Sequence, residues 1–461
     1  MSASKHLWVA ALVGLVLCPT PAWAHARLTR SEPASGSRVG SPQIIRLWFS
    51  ERPEVALTGV TVTNGSGRIF AVSLPQPNSS DPLEVSFAVS ASLPAGKYKL
   101  AWRTVASDGH PSRGSFTFVV LSTPSAVATE SLPLSKRIGA AIQSADTGIS
   151  FDSAEVERAD GSASISSSLA RSFSFGGILM VIGVIVFNVL VVARSDRIGG
   201  ELVWRMESRA AVVGIAASIL VIIAGFGRIY LESRMMSEMP GMQAMSMTDT
   251  VMHTRWGFAL RLEIIAAFLA LIAFAIAIPR VRGAWLIASL SAVVLAFTPA
   301  LAGHAAATPR FTSMMTGIDF LHVLGASSWL GNLACVMLIG VPIVLRNGGD
   351  ERWQSVATLV NTFSPIAIAS ATVVVLSGLT ASWVHLERVS DLWTTAYGQM
   401  LFRKLVFVAI TLVIGAYNFR MVQPQLLRAE GTLRLRRWTA MELGLGVIII
   451  LITGFLTGIA P

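Results

Sequence analysis

His25 has the most specific chemistry open to any residue of this chain. It follows Ala22-Trp23-Ala24, the small-residue cleavage site of a secretory signal peptide over residues 1–24, with Lys5 and His6 as the basic start and Leu7–Leu17 as the apolar stretch. Cleavage there gives residue 25 a free α-amine beside its imidazole, and those two nitrogens can chelate one metal ion together. An internal histidine offers only its ring. Any residue can follow an Ala-x-Ala site, so position alone leaves chance open. Within Ser107-Asp108-Gly109-His110-Pro111, an Asp108 oxygen and the His110 imidazole would complete an N₃O donor set suited to tetragonal Cu(II). The same Asp108-Gly109 pair also reads as a plain hairpin turn.

A second donor type is concentrated elsewhere. Met235, Met236, Met239, Met242, Met245 and Met247, with Met252 just beyond, crowd one connection between apolar runs. Methionine commonly fills gaps in apolar cores, but this stretch holds Pro240, Gly241 and polar residues. Thioether sulfur is soft and prefers Cu(I), so the segment reads as a copper-handling loop, with an amphipathic surface segment as the alternative. His253 lies in the same loop, and His304 and His385 close the fourth and sixth apolar runs. For those two, capping or an interfacial position is a sufficient role. His322 falls about two turns inside the fifth run, at a depth where an ionisable group is costly and usually functional. Asp319, one turn earlier on the same face, could orient that imidazole or bind a cation.

Two architectures must position these residues. The 461-residue chain is 53% hydrophobic and 13% charged, with a mean hydropathy of +0.62, whereas soluble proteins carry about 25% charged residues. Residues 25–121 nevertheless read as an exported β domain. Apolar residues alternate in Gln43–Ser50, Gly59–Thr63, Leu83–Val89 and around Tyr98, Leu100 and Trp102, then at Phe116, Phe118 and Val120, with turn signals between them. That pattern predicts a small antiparallel, immunoglobulin-like all-β sandwich. Residues 122–170 are rich in Ser, Ala and Thr and read as a flexible linker.

Residues 171–461 predict an α-helical polytopic membrane domain. Eight apolar segments lie near 172–193, 209–231, 257–279, 284–303, 315–345, 362–385, 400–419 and 439–460, most of them near the roughly 20 residues needed to span hydrocarbon. The fifth, long and polar at its start, is expected to tilt, break or emerge. Arginines crowd one set of loops, including Arg194, Arg197, Arg205, Arg209, Arg280 and Arg434, while the opposite set carries Arg234, Arg255, Arg310 and Arg388. The positive-inside rule then places the N-terminal domain and the C-terminus in the periplasm, with the spans in the inner membrane. The net charge of +10 is scattered rather than patched, which argues against nucleic acid as a partner. Cys18 leaves with the signal and Cys335 lies in an apolar run, so no disulfide is expected.

Residues 25–121 resemble the periplasmic copper-binding protein CopC through His25-Ala26-Arg27-Leu28, Ser31-Glu32-Pro33-Ala34, Ser107-Asp108-Gly109-His110-Pro111 and Gly114-Ser115-Phe116-Thr117-Phe118. Residues 171–461 resemble the membrane protein CopD through Leu321-His322-Val323-Leu324-Gly325-Ala326-Ser327-Ser328-Trp329-Leu330-Gly331 and Tyr397-Gly398-Gln399-Met400-Leu401-Phe402-Arg403-Lys404. The order is that of CopC–CopD fusions. The resemblance implies Cu(II) ligand roles for His25, Asp108 and His110, with no methionine-rich Cu(I) site in the N-terminal domain.

The expected function is non-enzymatic: capture of periplasmic Cu(II) and copper transport, in the uptake direction, or copper resistance and homeostasis. The methionine loop with His253, His304, Asp319, His322 and His385 would form the copper path, as Cu(I). Partners would be copper ions, the lipid bilayer and periplasmic or cytoplasmic copper chaperones. No Walker motif is present to supply energy. The alternatives are a histidine-brace copper monooxygenase and a haem-binding electron-transfer protein.

Overall fold

A computed structural model describes residues 27–105, 111–122, 165–195, 198–237, 251–252, 254–278, 281–303, 312–347, 349–386 and 388–459. The predicted signal peptide and most of the predicted linker lie outside these residues.

The N-terminal unit is built from nine strands: β1 (Leu28–Glu32), β2 (Arg38–Val39), β3 (Ile44–Phe49), β4 (Gly59–Asn64), β5 (Ile69–Phe70), β6 (Gln76–Pro77), β7 (Glu84–Ala88), β8 (Gly96–Val105) and β9 (Pro111–Val120). They form two sheets, ordered β1-β3-β7-β6 and β2-β9-β8-β4-β5. Register follows the apolar alternation. Ile45 faces Phe87 and Leu47 faces Val85 across β3 and β7, and Val62 faces Leu100 across β4 and β8. A one-residue slip would turn these side chains to solvent. The inner faces meet in a core that includes Phe49, Tyr98 and Phe118, in which Tyr98 and Phe118 stack at 5.6 Å. The Tyr98 hydroxyl donates to the Pro94 carbonyl at 2.8 Å, as in the tyrosine corner of immunoglobulin-like sandwiches.

The sandwich is not wholly antiparallel, because β2 runs parallel to β9. The sequence pattern also misses β1, β2, β5 and β6. β1 is Leu-Thr-Arg-Ser-Glu, too polar for an alternation signal, and the others are two residues long. They form because β3, β7, β9 and β4 offer open edges.

The helical unit has eight helices long and apolar enough to cross a membrane: α1 (Ile165–Arg194), α2 (Gly200–Arg234), α3 (Arg255–Ala277), α4 (Gly283–Ala302), α5 (Ser313–Asn347), α6 (Gly349–Val384), α7 (Ala396–Gln425) and α8 (Ala429–Leu456). α1 starts inside the stretch read as linker. α2, α6 and α8 begin well before their apolar segments, since hydropathy detects only the part of a helix that suits hydrocarbon. α5 does not break. It runs from Ser313 to Asn347 with two π-helical turns, Ser327–Gly331 and Val336–Gly340, inside it. Cys335 is buried there and is unpaired among the described residues.

α1 packs against α2, α5 and α8. Its crossing with α5 needs glycine on both sides. A Cβ on Gly183 would lie 2.3 Å from the Gly331 carbonyl carbon, and one on Gly331 would lie 2.2 Å from the Leu179 carbonyl oxygen. The obstructing atoms are backbone, so relief requires moving a helix. Gly331→Ala is therefore expected to destabilise the helical unit by about 1–3 kcal/mol, read as earlier thermal unfolding in detergent. Gly176→Ala, with nothing within 4 Å of the new methyl, is expected to leave unfolding unchanged. Equal behaviour of the two variants would refute the close crossing.

Candidate functional site

Of the residues predicted for the exported Cu(II) site, His25, Asp108 and His110 lie outside the described residues. Their anchors do not. The Arg27 amide donates to Ser50 Oγ at 2.9 Å, and the Ser50 amide donates to the Arg27 carbonyl at 2.8 Å. The Glu54 amide donates to the Val105 carbonyl at 2.7 Å. One short connection, Ser50–Glu54, thus ties down both Arg27, just before β1, and Val105, where β8 ends. Phe49, paired with Leu28, meets the Trp102 ring edge-on at 5.4 Å. Trp102 in turn lies over Gly114 of β9, where a Cβ would come within 2.7 Å of the indole. The start of β1, the end of β8 and the start of β9 therefore share one end of the sandwich. At the same unit's edge, Arg30 and then Arg46 hold the Glu32 carboxyl below the usual carboxylate range.

In the helical unit, Met235 and Met236 belong to the last turn of the helix Gly200–Ser237 rather than to a loop. Met239, Met242, Met245, Met247, His253 and His304 lie outside the described residues. Met252 is exposed, and its sulfur accepts a hydrogen bond from the Arg261 guanidinium at 3.1 Å. His385 is the final residue of the helix Arg352–His385.

Asp319 and His322 are both on α5. With eight alternating spans, odd helices start and even helices end on one face of the bundle, and His322 lies about 14 Å along α5 from that face. Its Nδ1 is 2.9 Å from Ser377 Oγ on α6. Ser377 has one hydroxyl proton, which it gives to the Val373 carbonyl at 2.6 Å, so Nδ1–H must be the donor toward Ser377. The ring's hydrogen bond with the Val374 backbone agrees with that tautomer. Nε2 then carries the lone pair. Ser377, not Asp319, fixes the imidazole. Gly378 leaves room for the ring, whose Cε1 lies 3.4 Å from the position of a Cβ there. Asp319 instead acts electrostatically on Lys404 and Tyr397 of α7, and Lys404 acts on His322. Four polar side chains from α5 and α7, with Ser377 from α6, form one cluster.

Two buried ion pairs sit toward the same face. Arg228 of α2 meets Glu263 of α3 at 3.4 Å, and the Ser174 hydroxyl of α1 also donates to Glu263. Arg171 of α1 meets Glu232 of α2 at 3.8 Å and donates to the Gly454 carbonyl of α8 at 3.0 Å. Sequence reasoning passed over these residues and Ser377, Lys404 and Glu442 as functional candidates. The signal was present, since each charged residue interrupts or closely flanks an apolar run. Ser377 carries no such signal, because serine is common in membrane helices.

Eight spans following a β-sandwich define a multi-pass membrane protein with an appended β domain. Residues 28–121 match the CopC domain family, residues 163–310 the N-terminal domain of copper resistance protein D-like proteins, and residues 357–456 copper resistance protein D. The chain is 24% identical to copper transport protein CutJ of Bacillus subtilis over 98% of its own length and 77% of that protein. It is 35% identical to copper resistance protein C of Escherichia coli over 22% of its length and 83% of that protein. The crystal structure of PcoC, a methionine-rich copper resistance protein from Escherichia coli, covers 21% of this chain and 100% of its own at 36% identity, with a TM-score of 0.20. The chain belongs to the copper resistance family as a CopC–CopD fusion.

Proposed function

We propose that the protein captures Cu(II) in its exported β domain and, after one-electron reduction of the ion by an external periplasmic reductant, passes copper as Cu(I) into its membrane domain, acting as a non-enzymatic copper transporter in the inner membrane. His25, Asp108 and His110 would hold Cu(II). The common anchoring of Arg27 and Val105 by Ser50–Glu54 supports that set, because it brings the flanks of all three ligands to one end of the sandwich. Met235, Met236, Met239, Met242, Met245, Met247, His253, His304 and His385 would form the mouth of the path.

The observation that carries the membrane half is His322, held through Nδ1 by Ser377 with its Nε2 lone pair left for a soft metal. A histidine whose second nitrogen is oriented by a hydrogen bond is the usual form of a metal-ligating imidazole. The arginine distribution supports a periplasmic N-terminal domain, and the placement of the histidines and methionines toward that side, with the family resemblance, supports uptake.

The test is copper accumulation in cells that have the protein, lack it, or carry His322→Ala. Accumulation with His322→Ala is expected to fall to the level of cells lacking the protein, and Ser377→Ala to reduce the uptake rate by about 10-fold or more by freeing the ring. Unchanged copper content in all strains would refute the transport reading.

A further inference from the structure

The helical unit has a partly open chamber of about 520 Å³ between α5, α6, α7 and α8, with Ile368, Leu376 and Phe419 of its lining exposed. No residue of the copper path named above lines it. Its walls are largely apolar, and one of its few polar groups is the carboxyl of Glu442 of α8, a residue 4% exposed. Trp329 Nε1 donates to Glu442 Oε1 at 3.3 Å, and Asn418 Nδ2 donates to Oε2 at 3.3 Å. Both donors lie in π-helical turns, Ser327–Gly331 of α5 and Asn418–Val422 of α7. Such turns are concentrated at functional sites.

Glu442 differs from the other buried carboxylates. Glu263 and Glu232 each face an arginine, at 3.4 and 3.8 Å. Glu442 has no ion-pair partner among the described residues, only neutral donors. Two acceptors stand unused beside it. Asn418 Oδ1 and Thr439 Oγ1 are buried without a hydrogen-bond partner, in residues 8% and 1% exposed. Thr439 precedes Glu442 by about one turn on the same helix face. The anion therefore has donors in Trp329 and Asn418, and the amide oxygen of Asn418 is left as an acceptor for the neutral acid. All these donors and acceptors are hard nitrogen or oxygen groups, which a soft Cu(I) ion does not favour.

We infer that Glu442 is a proton-exchange site, loading and releasing a proton through the chamber toward the face where α7 ends, and that this exchange accompanies copper passage. The step is Glu442 carboxylate plus hydronium in the chamber giving the carboxylic acid plus water, and the reverse. The charged groups around it are few. Arg420 lines the chamber near the end of α7, the α5 and α6 walls are uncharged, and Arg171 of α1 is engaged at Gly454 further along α8. Trp329 lies two turns beyond His322, about 10 Å deeper on nearly the same face of α5. That places the proton site about two helical turns further along α5 than the imidazole. The coupling to copper rests on the function proposed above, and the protonation itself does not.

The test is infrared pH titration of the full chain reconstituted in lipid. The expected result is a carbonyl band of a protonated carboxyl that grows as pH falls, is missing in Glu442→Gln and is displaced in Glu442→Asp. A spectrum identical in wild type and Glu442→Gln at every pH overturns the site. A band that answers to sodium at fixed pH and not to pH overturns it as well, in favour of a metal-cation site. For coupling, proteoliposomes loaded by a pH gradient should take up Cu(I) at least about 10-fold faster than without the gradient, with Glu442→Gln at the ungraded rate. Copper uptake that ignores the gradient overturns coupling while leaving transport intact. Absence of any uptake overturns transport and coupling together, and the infrared result still decides the proton site.

Discussion

Replacing His25 by alanine, with cleavage after Ala24 preserved, is expected to weaken Cu(II) binding by the purified chain by more than about 100-fold. Loss of a single supporting group around a metal ligand already lowers affinity about 10–100-fold, and His25→Ala removes a ligand outright together with its chelate ring. Cu(II) titration monitored by electron paramagnetic resonance should show fewer nitrogen donors, while the sandwich core, centred on Tyr98, Phe118 and Phe49, keeps its fold. A second variant separates the two nitrogens of this residue. Ala24→Leu, chosen to block cleavage, retains the imidazole and masks the α-amine in a peptide bond, so it should lose most of the same affinity. Tight binding by the uncleaved chain would eliminate the chelate and leave His110 and Asp108 with some other partner.

Glu263→Leu is expected to destabilise the helical unit by about 3–5 kcal/mol, because it strands Arg228 in a buried position. Arg228 is 8% and Glu263 2% exposed, and the Ser174 hydroxyl adds a third group to the pair. Trp256 offers only a distant ring face, 6.0 Å from the guanidinium carbon. The double variant Arg228→Met/Glu263→Leu removes both charges and should recover most of that loss. Thermal unfolding in one detergent checks both. A double variant no more stable than Glu263→Leu would show that the pair's polar character, rather than charge balance, holds α1, α2 and α3 together.

These two expectations were legible in the sequence to different degrees. The His25 prediction needs only the cleavage site, the residue after it and the knowledge that an α-amine and an imidazole can chelate. The Glu263 prediction needs the structure, since Arg228 and Glu263 are on different helices and nothing in their spacing pairs them. The same holds for Ser377, which displaces Asp319 as the group that orients His322. Asp319 was favoured because a one-turn spacing on one helix is readable, whereas a contact between α5 and α6 is not.

Local periodicity reports what each segment buries, and it located the main strands and all eight spans. It stopped where stability comes from neighbours. The two-residue strands exist only through pairing with longer ones, and the polar first turns of α2, α6 and α8 are helical by continuation rather than by burial.

The sequence by itself determined a β unit with alternating strands and a membrane unit with apolar runs of spanning length, and it predicts a cleaved signal ahead of a metal-competent histidine. Each of these depends on composition and short-range spacing. Only the tertiary structure decided which buried charges are neutralised. Glu263 and Glu232 face arginines, while Glu442 faces neutral groups beside a chamber. The physical reason is that the cost of a buried charge depends on what surrounds it in space, and residues far apart in the chain supply those surroundings.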